Sequence, residues 1–302
     1  MSATGSRIAP KSRKLNRARW QLLLLLALWS AAGSAYAQGD ATRGQYLAKA
    51  GGCLGCHTEE KKDAVAFAGG RALKTPFGTF YGPNITPHPG AGLGRWNETD
   101  FMRAMSLGVR PDGANYFPAF PYPSFTRISD TDLRDLWAFL RTLAPSSRAN
   151  QAHDLRFPFN LRVLVTGWKW MFFTPGPLAS TSARTQVVNR GAYLVEALGH
   201  CGECHTPRNF LGGPKRNRFL AGTKTGPDGK GGAPNLTPTR LKKLSDGELK
   251  DFLLTGLDPD GDVASEAMGE VVRNTTSQLT PADLAAVIAY LRALAPLPNE
   301  PK

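Results

Sequence analysis

Cysteine and histidine are scarce in this sequence, at four and five of 302 residues. Four cysteines are too few for a disulfide-rich small fold. Acidic residues are also in the minority, 24 against 37 basic ones, which gives a formal net charge of +13. Long apolar runs are missing. The run Trp20 to Trp29, broken only by Gln21, falls short of the roughly 20 residues that a membrane-spanning helix needs. Leu161 to Phe173 is apolar and aromatic but short, and Arg162 and Lys169 interrupt it. Strand-like alternation is nearly absent. Glycine and proline, at 32 and 23, are raised and predict many turns. Apolar residues at 41% and charged residues at 20% lie in the globular range and exclude wholesale disorder.

The basicity is concentrated at the start. Arg7, Lys11, Arg13, Lys14, Arg17 and Arg19 form a head without an acidic residue, followed by the apolar run and by Ala35-Tyr36-Ala37. A basic head, a short apolar stretch and an A-x-A pattern read as a secretory signal peptide over 1–37. An uncleaved N-terminal anchor is the alternative. Cleavage leaves 31 basic and 24 acidic residues in 38–302, a net +7.

The exported part repeats itself. Arg43-Gly-Gln-Tyr-Leu precedes Cys53, and Arg190-Gly-Ala-Tyr-Leu precedes Cys201. Pro83-Asn-Ile-Thr-Pro returns as Pro234-Asn-Leu-Thr-Pro, Pro111-Asp-Gly as Pro259-Asp-Gly, and Leu140-Arg-Thr-Leu-Ala-Pro as Leu291-Arg-Ala-Leu-Ala-Pro. The offset is 148 at the cysteines and the Pro-Asp-Gly turns, and 151 at the last helix. Two copies of one domain, 38–148 and 184–302, are expected, a length ordinary for single domains. The segment 149–183 between them carries Phe157, Phe159, Trp168, Trp170, Phe172 and Phe173. Such aromatic density predicts a packed linker that holds the copies together. A docking surface for a partner is the alternative.

Each copy reads as helical. Leu133, Leu136, Trp137, Leu140 and Leu143 form a 3.6-residue stripe, as do Leu284, Val287, Ile288, Leu291 and Leu294. Ser129-x-x-Asp132, Thr280-Pro-x-Asp283, Asn97-x-x-Asp100 and Ser245-x-x-Glu248 are helix-start signals. The Gly/Pro-rich loops between helices are too long for a compact domain of this size unless a large group fills its interior.

Cys53-Leu-Gly-Cys56-His57 and Cys201-Gly-Glu-Cys204-His205 supply the chemistry. C-x-x-C-H is the attachment signature of c-type haem. Two thiols a helical turn apart form thioethers to the porphyrin, and the adjacent imidazole becomes an iron ligand. Two covalent haems with their iron are therefore expected. A four-cysteine zinc site would need the pairs to converge, although each lies in its own repeat. A thioredoxin-like pair would need a βαβ context. Disulfides within the pairs would leave the histidines unexplained.

Each half thus resembles a class I cytochrome c domain. The chain from 40 to 296 is similar to dihaem c-type cytochromes related to the cytochrome subunits of bacterial membrane-associated alcohol and gluconate dehydrogenases. The residues that carry the resemblance include Thr75-Pro-Phe-Gly-Thr, Phe117-Pro-Ala-Phe-Pro-Tyr122, Phe157-Pro-Phe-Asn160 and Cys201-Gly-Glu-Cys-His-Thr-Pro207. It implies an all-α fold of two tandem domains whose loops wrap haem. It implies helix crossings near Gly44/Tyr46 and Phe139, and near Gly191/Tyr193 and Tyr290, with Pro83 and Pro234 close to His57 and His205. Many of those subunits carry a third haem domain and a C-terminal anchor; neither is expected in this chain.

Met268, in a loop setting after a Gly/Pro-rich stretch, is the expected sixth ligand of the second iron. In the first copy the usual Pro-Ala-Met-Pro-Tyr reads Pro118-Ala-Phe120-Pro-Tyr122. The candidates there are His88, Met102, Met105, His153 or an open position. The functional expectation is a periplasmic carrier of single electrons. It would run from a dehydrogenase or the quinone pool to a downstream cytochrome or terminal oxidase, and peripheral membrane association is compatible with it. The rival is a dihaem redox enzyme, of peroxidase or sulfur-compound oxidase type, with a reactive first haem. No nucleic-acid role is expected, since four haem propionates would reduce +7 to about +3.

Overall fold

The computed structural model describes residues 39–226 and 228–299, together with 1, 2 and 5. The basic head, the apolar run and Ala35-Tyr36-Ala37 lie outside the described residues. In the first copy, helices α1 (Ala41–Ala50), α2 (Cys53–His57), α3 (Glu98–Leu107), α4 (Tyr122–Phe125) and α5 (Asp130–Thr142) follow one another. The connecting segment carries α6 (Val163–Phe172). The second copy has α7 (Gln186–Tyr193), extended by a wide turn over Leu194–Leu198, then α8 (Gly202–His205), α9 (Pro238–Leu241), α10 (Asp246–Thr255), α11 (Glu266–Asn274) and α12 (Pro281–Ala293).

The helix starts are where local chemistry puts them. Asn97 with Asp100 and Ser245 with Glu248 form reciprocal capping boxes. The hydroxyls of Ser129 and Thr280 accept from the backbone N–H of Asp132 and Asp283. Their carboxylates have other work. In the first copy Arg43 of α1 pairs with Asp132 and Asp135 of α5. In the second, Arg190 of α7 grips Asp283 of α12 through Nε at 2.8 Å and Nη2 at 2.6 Å. The paired helices touch closely, because a Cβ on Gly44 would overlap the Asp135 carbonyl and one on Gly191 the Ala286 carbonyl. Only glycine fits there.

The two copies lock together reciprocally. Tyr46 of the first donates to Asp283 of the second at 2.6 Å, and Tyr193 of the second donates to Asp132 of the first at 2.5 Å. Arg71 pairs with Glu270 at 2.8 Å, and Ser124 donates to Glu203 at 2.9 Å. One apolar core spans both copies, from Leu47, Leu133 and Phe139 to Leu198, Leu284 and Tyr290.

Asp283→Ala is expected to leave Arg190 and Tyr46 unpaired and to cost roughly 2–3 kcal/mol. That is the low end for a broken buried pair, because the Arg190 side chain is 36% exposed. Burial pushes the Asp283 carboxyl up, but hydrogen bonds from Arg190 and Tyr46 outweigh it and hold the carboxyl below its ordinary value. Its contribution is present above the ordinary aspartate range and is lost as pH falls through the lowered value. Urea melts at pH 7 and pH 3 check both points: the gap between wild type and variant should shrink in acid.

An all-α fold is not what forms. Ala72–Thr75, Gly78–Tyr81 and Asp154–Leu155 make an antiparallel sheet, β1-β2-β3, with Ala72 opposite Tyr81 and Gly78 opposite Leu155. The turn Thr75-Pro-Phe-Gly78 closes the first hairpin, with the Thr75 hydroxyl donating to the Gly78 carbonyl at 2.8 Å and Gly78 at φ 126°. Strands this short show no readable alternation. Phe80, Phe117 and Val165 form a second, small core beside the sheet.

The aromatic segment touches both copies. Val165 enters that small core, Phe173 packs on Tyr122 at 5.1 Å, and the Trp168 indole donates to the Leu211 carbonyl at 3.0 Å.

Candidate haem-attachment sites

Gly52 adopts a left-handed conformation (φ 62°) and turns the chain from α1 into α2. His200 holds the equivalent position in the second copy at φ 38°. Each cysteine pair then lies on one helical turn with its histidine directly after it. The His57 Nδ1 is 2.8 Å from the Pro83 carbonyl, and the His205 Nδ1 is 2.7 Å from the Pro234 carbonyl. A carbonyl only accepts, so Nδ1 carries the proton and Nε2 keeps its lone pair for a metal. Burial holds both imidazoles below their ordinary pKa, so they are neutral at pH 7, as ligation requires.

The Pro-Asn-Ile/Leu-Thr-Pro motif positions those carbonyls. Asn84 and Asn235 are buried, and each accepts through Oδ1 from the Thr two residues on, Thr86 or Thr237. Their amides reach the chain leaving the last helix of each copy, at Ser146 and Leu297. The asparagines thus staple the proximal loop to the end of the domain, a role that spacing alone did not reveal.

No disulfide joins the four cysteines. Burial pushes Cys53 and Cys201 up to about 12, and Cys56 and Cys204 up to about 11. A redox dithiol needs the opposite shift. Among the described residues, no three His, Cys, Asp or Glu side chains are grouped to hold a metal ion, so the zinc alternative has no site there. The donor set fits covalent haem instead: two thiols and one imidazole with a free Nε2, built twice.

The sixth-ligand candidates separate. Met268 is partly buried against the main core, in the first turn of α11 and not in a loop. Phe120 lies just before α4, its ring 5.3 Å from Tyr116 and 5.7 Å from Phe125. Met105 is buried in the main core, and so is Leu253, its counterpart at the 148 offset. Met102 is partly buried against the same core. His153 is turned elsewhere: it packs on Phe80 and Phe117 in the small core and accepts the Tyr81 N–H at 3.2 Å. The His88 Nδ1 accepts from the N–H groups of Gly90 and Ala91 at 3.2 and 3.0 Å. The neutral ring then carries its proton on Nε2, with no lone pair there to donate.

A helical chain with two such donor sets falls in the class of dihaem electron-transfer proteins. The sequence model of the cytochrome c family matches residues 41–144 and 188–295, and the chain belongs to this family. It is 45% identical over 257 residues to a diheme cytochrome c-type protein of Cereibacter sphaeroides, covering 84% of this chain and 86% of that one. The fructose dehydrogenase cytochrome subunit of Gluconobacter japonicus is 37% identical, with 84% of this chain and 52% of the relative covered. The cytochrome c subunit of the quinone-type alcohol dehydrogenase of Gluconobacter oxydans is also 37% identical, with 93% of this chain and 61% of the relative covered. The chain thus spans between half and two thirds of these two dehydrogenase cytochromes. Two haem c groups are its cofactors, and electron transfer is its activity.

Proposed function

We propose that the protein is an exported dihaem cytochrome that takes single electrons from a dehydrogenase or the quinone pool and passes them to a downstream cytochrome or terminal oxidase. The observation that carries this reading is the twofold donor set, in which His57 and His205 each give Nδ1–H to a proline carbonyl and keep Nε2 free. Cys53 and Cys56 would anchor one haem, Cys201 and Cys204 the other. His57 and His205 would be the proximal ligands, and Met268 the sixth ligand of the second iron. Each haem, when bound, supplies a one-electron couple. The protein's part is to orient the imidazoles, exclude water and keep the two groups close. Cleavage after Ala37 would deliver 38–302 to the periplasm. Domains over 38–148 and 184–302 with the packed segment 149–183 fit this reading.

The dehydrogenase version draws support from relatives that are cytochrome subunits of fructose and alcohol dehydrogenases. Stopped-flow reduction by a dehydrogenase encoded beside this protein tests it. Reduction should be faster than catalytic turnover, and its rate should fall modestly as salt rises, because a mildly basic surface steers toward an acidic partner. A flat salt response counts against steering, and absent reduction counts against the donor. Phe120 favours a second reading, a redox enzyme with a reactive first haem. Turnover assays with hydrogen peroxide and reduced sulfur compounds separate the two, since a carrier consumes neither.

A further inference from the structure

Helix α6 faces the wrong way for a surface helix. At 100° per residue Val163, Leu164, Trp170 and Met171 share one face, and all four are exposed, Val163 at 73% and Trp170 at 89%. The opposite face carries Val165, Trp168, Lys169 and Phe172 and meets the protein. Lys169 donates to the Leu107 carbonyl at 2.6 Å, and Phe172 lies against Gly213. An amphipathic surface helix normally turns its apolar stripe inward. The loop that Trp168 holds adds exposed apolar surface beside the helix, with Phe210 at 88% and Leu211 also exposed.

The chain segments that form this face are basic, and Asp112, which lies near Arg162 at the start of the helix, is paired with Arg110. No Asp or Glu occurs between Asp154 and Glu196, nor between Glu203 and Asp228. Glu203 is paired with Arg208. Arg156 is exposed just before the helix, and at its other end Arg216 donates to the Phe172 carbonyl at 2.7 Å. The surface is a convex helix, not a groove that could enclose a peptide. Exposed Trp, Met and aliphatic side chains on a helix flanked by cations are the pattern of a helix lying in a bilayer interface.

We propose that the outer face of α6, with Phe210 and Leu211, seats the protein on an anionic phospholipid bilayer. The apolar side chains enter the headgroup boundary, and the flanking arginines meet lipid phosphates. The inference stands on this surface alone and does not depend on which protein donates electrons.

The test uses the exported holoprotein and vesicles of phosphatidylcholine with or without phosphatidylglycerol. Flotation should show binding that requires phosphatidylglycerol and weakens with salt. Trp170→Ser with Met171→Ser changes only exposed positions, and an unaltered haem spectrum checks its fold. The double variant should bind at least about tenfold more weakly. Hydrogen exchange should slow over 161–173 on adding vesicles. Absence of vesicle binding overturns the proposal. So does a variant that binds like wild type with 161–173 unprotected, which would mean attachment through another surface. Protection of this face only by a dehydrogenase, and not by vesicles, makes it a protein interface and overturns the proposal too.

Discussion

The double variant Cys201→Ala, Cys204→Ala is expected to carry one haem per chain where the wild type carries two. Mass spectrometry of the exported proteins should show the loss of a single haem mass, with haem absorbance falling to about half. The reason is that each attachment turn is complete in its own copy, with its own histidine, proline carbonyl and stapling asparagine. The remaining haem will not sit in an undisturbed fold. The copies share the Tyr46–Asp283 and Tyr193–Asp132 bonds and one apolar core, so a change in the second is felt in the first. The variant should therefore melt earlier, and in a broader transition, while still holding the first haem. A variant with no haem at all would show that attachment in the two copies is coupled. One that retains two would refute the second cysteine pair as an anchor.

What could be read in the sequence was what is local. The C-x-x-C-H turns and the capping boxes at Asn97 and Ser245 each lie within five residues, and both boxes form. The duplication was legible because its motifs are short and rigid. Contacts between distant residues were not. Tyr46 and Asp283 are 237 positions apart, and nothing in either segment points at the other. The small sheet was missed because its third strand is two residues long and comes from the aromatic segment, where pattern shows only packing density. Helix α11 was missed for a related reason: Ser265 enters it without a side-chain capping bond, and no acid stands at the third helical position. Met268 therefore looked like a loop residue. The crossings at Gly44 and Gly191 were implied by resemblance, and the structure supplies their cause in the carbonyls that a Cβ would strike.

Phe120→Met is expected to raise the lower of two reduction potentials. In the wild type a redox titration should resolve two waves, because the halves differ where an axial ligand would come from. The 148 offset that carries Cys53 onto Cys201 also carries Phe120 onto Met268. Phenylalanine offers no lone pair. His153 is engaged in the small core, and the His88 ring accepts at Nδ1 within its own loop. Met102 and Met105 lie on α3, and Met105 occupies a buried slot that Leu253 fills in the other half. On the proposed ligation, the first iron would be left with a weak sixth ligand or none, while a thioether from Met268 would raise the potential of the second. Placing methionine at 120 should lift the first potential by on the order of 100 mV, well inside the roughly 0.8 V that axial ligands span. It should also abolish carbon monoxide binding at that haem and add a methionine–iron charge-transfer band. Phe120 is partly buried among Tyr116, Tyr122 and Phe125, and an unbranched, flexible side chain fits such a slot with little strain. A wild type with two indistinguishable waves, each with a methionine–iron band, would show that Met102 or Met105 reaches the iron. The inequality of the halves would then have no basis in residue 120.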